Sequence, residues 1–136
     1  MPKVFTSDKQ KIGEIGETVA VKFLMKHGFQ IIDRNYTRKW GEIDIVAKKD
    51  KKLYFIEVKS VSDSVSRENV THETDNYRAE DNMHPWKVKR MSRTIQTYLL
   101  DKDIDEDAEW QCDLLVVNLN MDKQTGRVIV VSDIIL

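Results

Sequence analysis

The spacing of apolar residues predicts two amphipathic helices. In residues 10–27 the apolar positions recur at intervals of three and four, which places them on one helical face. These positions are Ile12, Ile15, Val19 and Phe23. Gly28 follows where a helix C-cap is expected, and Pro85 suits the first turn of the second helix. The apolar stripe of that second helix comprises Val88, Met91, Ile95, Tyr98 and Leu99.

Short apolar runs rich in β-branched residues predict five strands. The runs cover residues 29–36, 42–48, 53–59, 110–119 and 127–136. The order of helix, three strands, helix and two strands predicts a mixed α/β or α+β fold, with a central mixed sheet of about five strands flanked by two main helices. No linker or internal repeat divides the chain, so we expect a single domain over residues 1–136, with a long polar loop at about residues 61–83.

Composition restricts the class of protein and its cellular compartment but does not identify a chemical activity. The 136 residues are 40% hydrophobic and 33% charged, which is sufficient for one core. No apolar run approaches the roughly 18 residues of a membrane helix, and the first residues lack the apolar segment of a secretory signal. Cys112 is the single cysteine, so we expect a reducing, cytoplasmic location. A formal net charge of −1 argues against a uniformly basic surface for nucleic acid.

The stretch GEIDIVAKKDKKLYFIEVKS, residues 41–60, carries the candidate chemistry. If its two apolar runs form a hairpin closed by residues 49–52, Asp44 lies opposite Glu57, with Cβ atoms about 5 Å apart. Opposed carboxylates repel each other, and the burial of an unpaired carboxylate is costly. A divalent cation such as Mg²⁺ or Mn²⁺ would resolve this conflict, because hard ions bind carboxylate oxygens and water.

Lys59 adds a basic group to this pair of carboxylates. It follows Glu57 by two residues, so we expect it to project from the same face of the strand, about 6.6 Å further along. Glu42 shares a face with Asp44 and is a candidate additional ligand. An ion between two carboxylates with a lysine nearby suits phosphodiester hydrolysis. The competing interpretation is an interstrand ion pair of Lys59 with one carboxylate and no metal.

Glu17 is predicted to be a further acidic residue of the site. At about 100° per residue it lies about 140° from Ile12, at the border of the packed helical face, whereas Glu14 points towards solvent. Gly13 and Gly16 remove bulk on the same side and would allow this helix to approach another backbone closely. The competing interpretation of Glu17 is an ordinary surface glutamate.

The second helix carries a basic stripe that could hold a phosphate backbone. Residues 86–98 contain no acidic residue and four basic ones: Lys87, Lys89, Arg90 and Arg93. The competing interpretation is a solvated helix face. For Trp40, packing over the hairpin is favoured over stacking on a base, and Trp86 and Trp110 are interpreted as core or helix-start residues.

These residues resemble a known family. The segments GETVAVKFLMKHGFQIIDRNY, GEIDIV and FIEVK are similar to those of the YraN-like bacterial proteins, which are thought to be endonucleases of the PD-(D/E)xK restriction-endonuclease-like superfamily. A more distant similarity links them to archaeal Holliday-junction resolvases. The resemblance covers roughly residues 11–120. The chain departs from the family's pattern after FIEVK, where it reads SVSDS and continues into the polar segment 61–83.

The resemblance implies a function for each candidate residue. It implies a metal site at Asp44 and Glu57, Lys59 as the catalytic lysine and Glu17 as a further acidic site residue. It also implies that Lys87 contacts phosphate and that both helices pack on the sheet of a restriction-endonuclease-like core. Resolvase relatives pair to cut two strands, so a homodimer is a further expectation.

The sequence therefore predicts a Mg²⁺- or Mn²⁺-dependent DNA endonuclease that acts on branched or damaged DNA. One alternative is a nucleic-acid-binding module with a nuclease-like fold and no catalysis, which need not bind a metal. A second alternative is a structural or adaptor protein, which would show no salt-dependent affinity for DNA.

Overall fold

The computed structural model describes residues 8–62, 85–134 and 136, and contains two helices and five strands within them. Along the chain these are α1 (Asp8–Lys26), β1 (Gln30–Arg38), β2 (Gly41–Lys49), β3 (Lys52–Ser62), α2 (Pro85–Asp101), β4 (Trp110–Asn120) and β5 (Thr125–Val131). Each predicted element is present. Most of the predicted polar loop 61–83 lies outside the described residues, but its first two residues, Val61 and Ser62, complete β3. The predicted last strand, residues 127–136, also extends too far, since β5 ends at Val131.

The five strands form one mixed sheet in the order β1-β2-β3-β4-β5. Only β3 and β4 run parallel, and the other neighbouring pairs are antiparallel. A parallel pair needs a crossover connection, and α2 lies within the segment that joins β3 to β4. Helix α1 packs on one face of the sheet and α2 on the other, each over its own apolar cluster. The predicted α+β architecture, with a mixed sheet between two helices, is confirmed.

The β2–β3 hairpin has the predicted register. Lys49 pairs with Lys52, and the pairing continues without a shift to Ile45 and Ile56. The connection is shorter than predicted, because only Asp50 and Lys51 lie in the turn. Their φ angles of 50° and 68° are both positive, as a type I′ turn requires. This turn follows the twist of the two strands and fixes the register of the hairpin as far as Ile45 and Ile56.

The face of α1 that packs on the sheet overlaps the predicted one but is shifted, since Ile12, Val19 and Phe23 pack against the sheet while partly buried. The buried residues are Gly16, Ala20 and Leu24, whereas Ile15 is 40% exposed. The helix is rotated so that its small residues face the sheet, which lets the two backbones approach closely. This rotation brings Glu17 to the edge of the packed face, where its side chain is 17% exposed. Gly28 caps the helix in the left-handed region, with φ of 87°.

Close packing at Gly16 makes a matched pair of substitutions informative. A Cβ atom at Gly16 would overlap the Ser60 hydroxyl oxygen and come 2.7 Å from the Ser60 Cβ, whereas none of the described atoms lies within 4 Å of one at Gly13. Gly16→Ala should therefore lower the free energy of unfolding by about 1–2 kcal/mol despite its better helix propensity. Gly13→Ala should raise it by up to about 1 kcal/mol. Urea denaturation followed by circular dichroism measures both, and an equal gain in the two variants would contradict the close approach at Ser60.

Helix α2 is held against the turn between β1 and β2 as well as against the sheet. Its buried residues Met91, Thr94, Ile95 and Tyr98 include most of the predicted apolar stripe. A Cβ atom at Gly41 would overlap the Thr94 hydroxyl oxygen, so the start of β2 packs directly against the Thr94 side chain of the helix. This contact fixes the basic face of α2 beside the strand that carries Asp44. Within residues 8–62 and 85–134, neither helix combines the length and hydropathy needed to cross a bilayer.

Candidate functional site

The candidate site lies where β2 and β3 separate. Their pairing ends at Ile45 and Ile56, although β2 continues beside β1 to Gly41 and β3 continues beside β4 to Ser62. A wedge therefore opens between the two strands. Asp44 and Glu57 are therefore not a pair within the β2–β3 ladder, which corrects the predicted geometry at these two positions. The predicted register is correct for the pairs from Lys49 and Lys52 to Ile45 and Ile56.

Asp44 occupies the closed end of this wedge. Its Oδ2 atom accepts a hydrogen bond of 2.8 Å from the backbone N–H of Val58, a group that has lost its partner strand. The carboxylate thus takes the place of a strand carbonyl and is held in a fixed position. Sequence periodicity predicts the residue at this position but not the hydrogen bond, because the separation of the strands depends on tertiary packing.

The electrostatic environment of Asp44 is unfavourable to its negative charge. Burial raises the pKa of its carboxyl to about 7, and the charge of Glu57 adds to this effect. The hydrogen bond from Val58 lowers the pKa, whereas the charges of Glu42 and Glu17 raise it further. Asp44 is therefore surrounded by the three acidic residues that the sequence singled out, and positive charge placed beside it would be stabilising.

Two of these acidic residues already have basic partners. Glu57 Oε1 lies 2.8 Å from the ammonium of Lys87, in a pair whose glutamate side chain is only 13% exposed. Glu17 Oε1 accepts hydrogen bonds from Nε and Nη2 of Arg34 at 3.3 and 3.1 Å. Lys87, predicted to contact phosphate, thus reaches into the acidic site in this structure. Arg34 was not singled out by the sequence, because its spacing from Glu17 becomes meaningful only when β1 and α1 are packed together.

Two cavities meet at Asp44. The α1 cavity, of about 680 Å³, lies beneath the N-terminal half of α1, and its lining includes Glu17, Asp44 and Lys59. The α2 cavity, of about 370 Å³, lies between α2 and the β1–β2 turn, and its lining includes Glu57 as well as Asp44. Basic residues surround the acidic floor of the α2 cavity: Arg38, Lys39, Lys87 and Arg90. Asp44 lines both cavities, so one carboxylate connects the two groups of candidate residues.

Lys59 is exposed and lies further along the open edge of β3. The regular pairing of β3 with β4 continues through Ser62, so strand alternation places Lys59 on the same face of β3 as Glu57. It also lines the α1 cavity with its neighbours Val58 and Ser60, because the departure of β2 leaves this edge uncovered. The structure thus brings Asp44, Glu57 and Glu17 into electrostatic contact, with Lys59 at the border of the site.

The acidic residues fit a cation held by few protein ligands. Among the described residues, no group of three or more His, Cys, Asp or Glu side chains is arranged to enclose a metal ion. Mg²⁺ does not need such an enclosure, since it is usually held by one or two carboxylates and several waters. The raised pKa of Asp44 beside Glu57 is the specific observation that favours a cation here. Asp44 and Glu57 are the two residues that would hold it.

The remaining basic residues line the exposed side of α2. Lys89, Arg90 and Arg93 are all exposed, as the interpretation of a basic stripe requires. The guanidinium of Arg90 lies 4.0 Å from the ring centre of Trp86, and that of Arg93 lies 4.4 Å from the ring centre of Trp40. Trp86 lies in the first turn of α2, as predicted, but it is not a core residue because it is 54% exposed.

Comparison with known proteins identifies the family. The sequence model of Uncharacterised protein family UPF0102 matches residues 16–125. A UPF0102 protein of Campylobacter hominis is 37% identical over 108 residues, which cover 79% of this chain and 84% of the relative. UPF0102 proteins of Campylobacter jejuni subsp. doylei and Campylobacter fetus subsp. fetus are 38% and 39% identical over 105 residues, covering 77% of this chain and 81% of each relative. The predicted resemblance is thus confirmed, and the chain belongs to UPF0102, the YraN family.

Proposed function

We propose that this protein is a metal-dependent endonuclease that hydrolyses phosphodiester bonds in DNA, with branched or damaged DNA as its expected substrate. The observation that carries the proposal is the position of Asp44. It is a mostly buried carboxylate, destabilised by Glu57 and open to a cavity with basic residues on its rim. A site that favours a cation beside a surface that favours phosphate has the two properties that phosphodiester hydrolysis requires.

Each residue of the site has a separate role in the proposed reaction. Asp44 and Glu57 bind Mg²⁺ or Mn²⁺, which when bound would supply Lewis acidity to a phosphate oxygen and to the attacking water. Lys59 stabilises the negative charge that develops on the phosphate or orients the water. Glu17, held by Arg34, supports the water network or a second ion from the α1 side. The basic side of α2 holds the DNA backbone.

A panel of labelled DNAs tests this function directly. Linear duplex, single-stranded, flap and four-way-junction substrates are incubated with the full chain and Mn²⁺, with and without a chelator. We expect chelator-sensitive cleavage of at least one branched substrate. Binding to the same DNAs in chelator, with no cleavage of any of them in Mn²⁺ or Mg²⁺, would contradict the proposal.

One observation favours a second candidate function, a nucleic-acid-binding module without catalysis. The ammonium of Lys87 is paired with Glu57, one of the two candidate metal ligands. Isothermal titration calorimetry with Mn²⁺ separates the two functions, because the endonuclease must bind the ion and the binding module need not. Both functions predict a DNA affinity that falls as salt concentration rises.

Replacing Lys87 by methionine should strengthen Mn²⁺ binding by up to about fivefold, since a partly exposed ion pair is worth up to about 1 kcal/mol. Methionine keeps the aliphatic part of the side chain but leaves Glu57 without its partner, so that the ion no longer competes with an ammonium group. Titration calorimetry at low salt gives the affinity. Lys89→Met is the matched control, because Lys89 lies in the same helix but is exposed, and it should bind Mn²⁺ like the wild type. Weaker binding in Lys87→Met would mean that Lys87 supports the ion site instead of competing with it.

A further inference from the structure

One exposed face of α2 combines aromatic and basic residues. Trp86, Lys89, Arg90 and Arg93 follow one another at the spacing of neighbouring positions on a helix surface, and all four are exposed. The opposite face is the one that Met91, Ile95 and Tyr98 bury against the sheet. We refer to these four exposed residues as the α2 stripe. It is about 10 Å long, from the rise of the helix.

Trp86 is the unusual residue of the α2 stripe, because it is a large aromatic residue that is exposed. Tryptophan is highly buried on average, yet this side chain is 54% exposed at the start of the helix. The guanidinium of Arg90 lies 4.0 Å from its ring centre, which places a cation over the ring. Such a pair offers an aromatic surface and a planar cation side by side.

Trp40 provides a useful contrast at the other end of the α2 stripe. It is only partly exposed, and its indole Nε1 atom is enclosed with no hydrogen-bond partner among the described residues. The guanidinium of Arg93 covers its ring at 4.4 Å. Trp40 therefore serves to position Arg93, whereas Trp86 presents its own ring to solvent.

The position of the α2 stripe relates it to the candidate site. Arg90 belongs to the stripe and also lines the α2 cavity, together with Lys87, Asp44 and Glu57. A ligand that lies along the stripe therefore passes the rim of the acidic site. The α2 stripe carries three basic residues and α2 has no acidic residue before Asp101, so this side of the helix attracts a polyanion.

We infer that the α2 stripe binds an unpaired segment of nucleic acid, with a base stacked on the Trp86–Arg90 pair and phosphates held by Lys89 and Arg93. Bases in a duplex are stacked on each other and hide their faces, whereas unpaired bases stack readily on aromatic rings and guanidinium planes. This inference rests on the proposed function and specifies it further. The substrate would be DNA that contains single-stranded nucleotides next to the cleaved bond.

Binding in the presence of a chelator tests the inference without cleavage. Fluorescence anisotropy gives the affinity of the full chain for a labelled single strand and for the duplex of the same sequence. Trp86→Ala should weaken binding to the single strand by about 5- to 150-fold and binding to the duplex by less than about twofold. Trp86→Phe retains a stacking surface and should recover most of the lost affinity. Lys89→Gln is the electrostatic control and should weaken binding to both DNAs to a similar degree, with a shallower salt dependence.

The outcomes distinguish the inference from the function on which it rests. If the wild type cleaves DNA but Trp86→Ala leaves the ratio of single-strand to duplex affinity unchanged, the inference is wrong and the endonuclease function remains. If the wild type cleaves a branched substrate but binds neither the single strand nor the duplex, the inference alone is wrong. If it binds neither form and cleaves none of the substrates, both are wrong. The control is thermal unfolding. If Trp86→Ala unfolds at the same temperature as the wild type, any change in affinity reflects the missing ring.

Discussion

Asparagine in place of Asp44 should reduce metal-dependent DNA cleavage by at least about 10²- to 10³-fold, a typical cost of removing one group that stabilises the transition state. The side-chain oxygen of asparagine can still accept the hydrogen bond from Val58, so the local backbone should be retained. The charge that attracts the cation is lost. Single-turnover cleavage of the preferred DNA in Mn²⁺ gives the rate, and anisotropy in chelator should show wild-type DNA affinity.

Asp50→Asn is the matched control for this variant. Asp50 lies in the turn of the same hairpin with φ of 50°, a conformation that asparagine tolerates, and it is exposed. It should cleave DNA like the wild type. Lys59→Ala should reduce cleavage to a similar extent as Asp44→Asn. Wild-type cleavage by both Asp44→Asn and Lys59→Ala would place the chemistry elsewhere in the molecule.

The second large effect is on stability, and its sign depends on pH. The pKa of Asp44 is raised in the folded protein from 3.8 to about 7, so folding favours the protonated form. The contribution of this group to stability is greatest below about pH 4, falls as the pH rises through the interval between these two values, and is constant above about pH 7. Asp44→Asn removes this dependence. It should be as stable as the wild type near pH 4 and more stable at pH 8, by up to about 4 kcal/mol.

Chemical denaturation at a series of pH values measures this difference. Asp50→Asn should follow the wild-type curve throughout. Mn²⁺ should stabilise the wild type at pH 8, where Asp44 is ionised, and should have a smaller effect on Asp44→Asn. A difference between Asp44→Asn and the wild type that does not change between pH 4 and pH 8 would show that the carboxyl has an ordinary pKa in the folded protein.

The fold was predictable because most of its signals are local. Pro85 begins α2, Gly28 ends α1, and the alternation of residues 42–48 and 53–59 gives the hairpin register through Ile45 and Ile56. The turn was predicted too long, because Asp50 and Lys51 do not carry the glycine that usually marks a two-residue connection. The predicted register of β2 and β3 is nevertheless correct, because a two-residue turn centred on the same positions gives the same pairing.

The predicted close approach of α1 to the sheet is confirmed at Gly16, but the large apolar residues of the helix predicted its packed face only in part. Those residues suggested a face through Ile15, but a helix can bury more backbone area when its small residues lie against the sheet. Gly16 and Ala20 therefore face inwards, and Ile15 is displaced towards solvent. A count of hydrophobic side chains along a helix does not capture this effect, since glycine contributes nothing to it.

The candidate site was predictable as a set of acidic residues but not as a geometry. The sequence indicated Asp44, Glu57 and Glu17. In the structure the charges of Glu57 and Glu17 both raise the pKa of Asp44. The separation of β2 from β3 and the ion pair of Lys87 with Glu57 could not be predicted. The ion pair depends on how α2 packs, which is decided by contacts between residues far apart in the sequence, such as that of Gly41 with Thr94.

The parallel pairing of β3 with β4 has a consequence for the order in which the molecule assembles. Strands β1, β2 and β3 are joined by short turns and can pair while the chain is still being organised, whereas Leu53 meets Trp110 only after 57 positions of chain have been closed into a loop. Closure of long loops is slow relative to hairpin formation. We therefore expect the β1–β2–β3 meander, which carries Asp44 and Glu57, to pair before β4 joins the sheet.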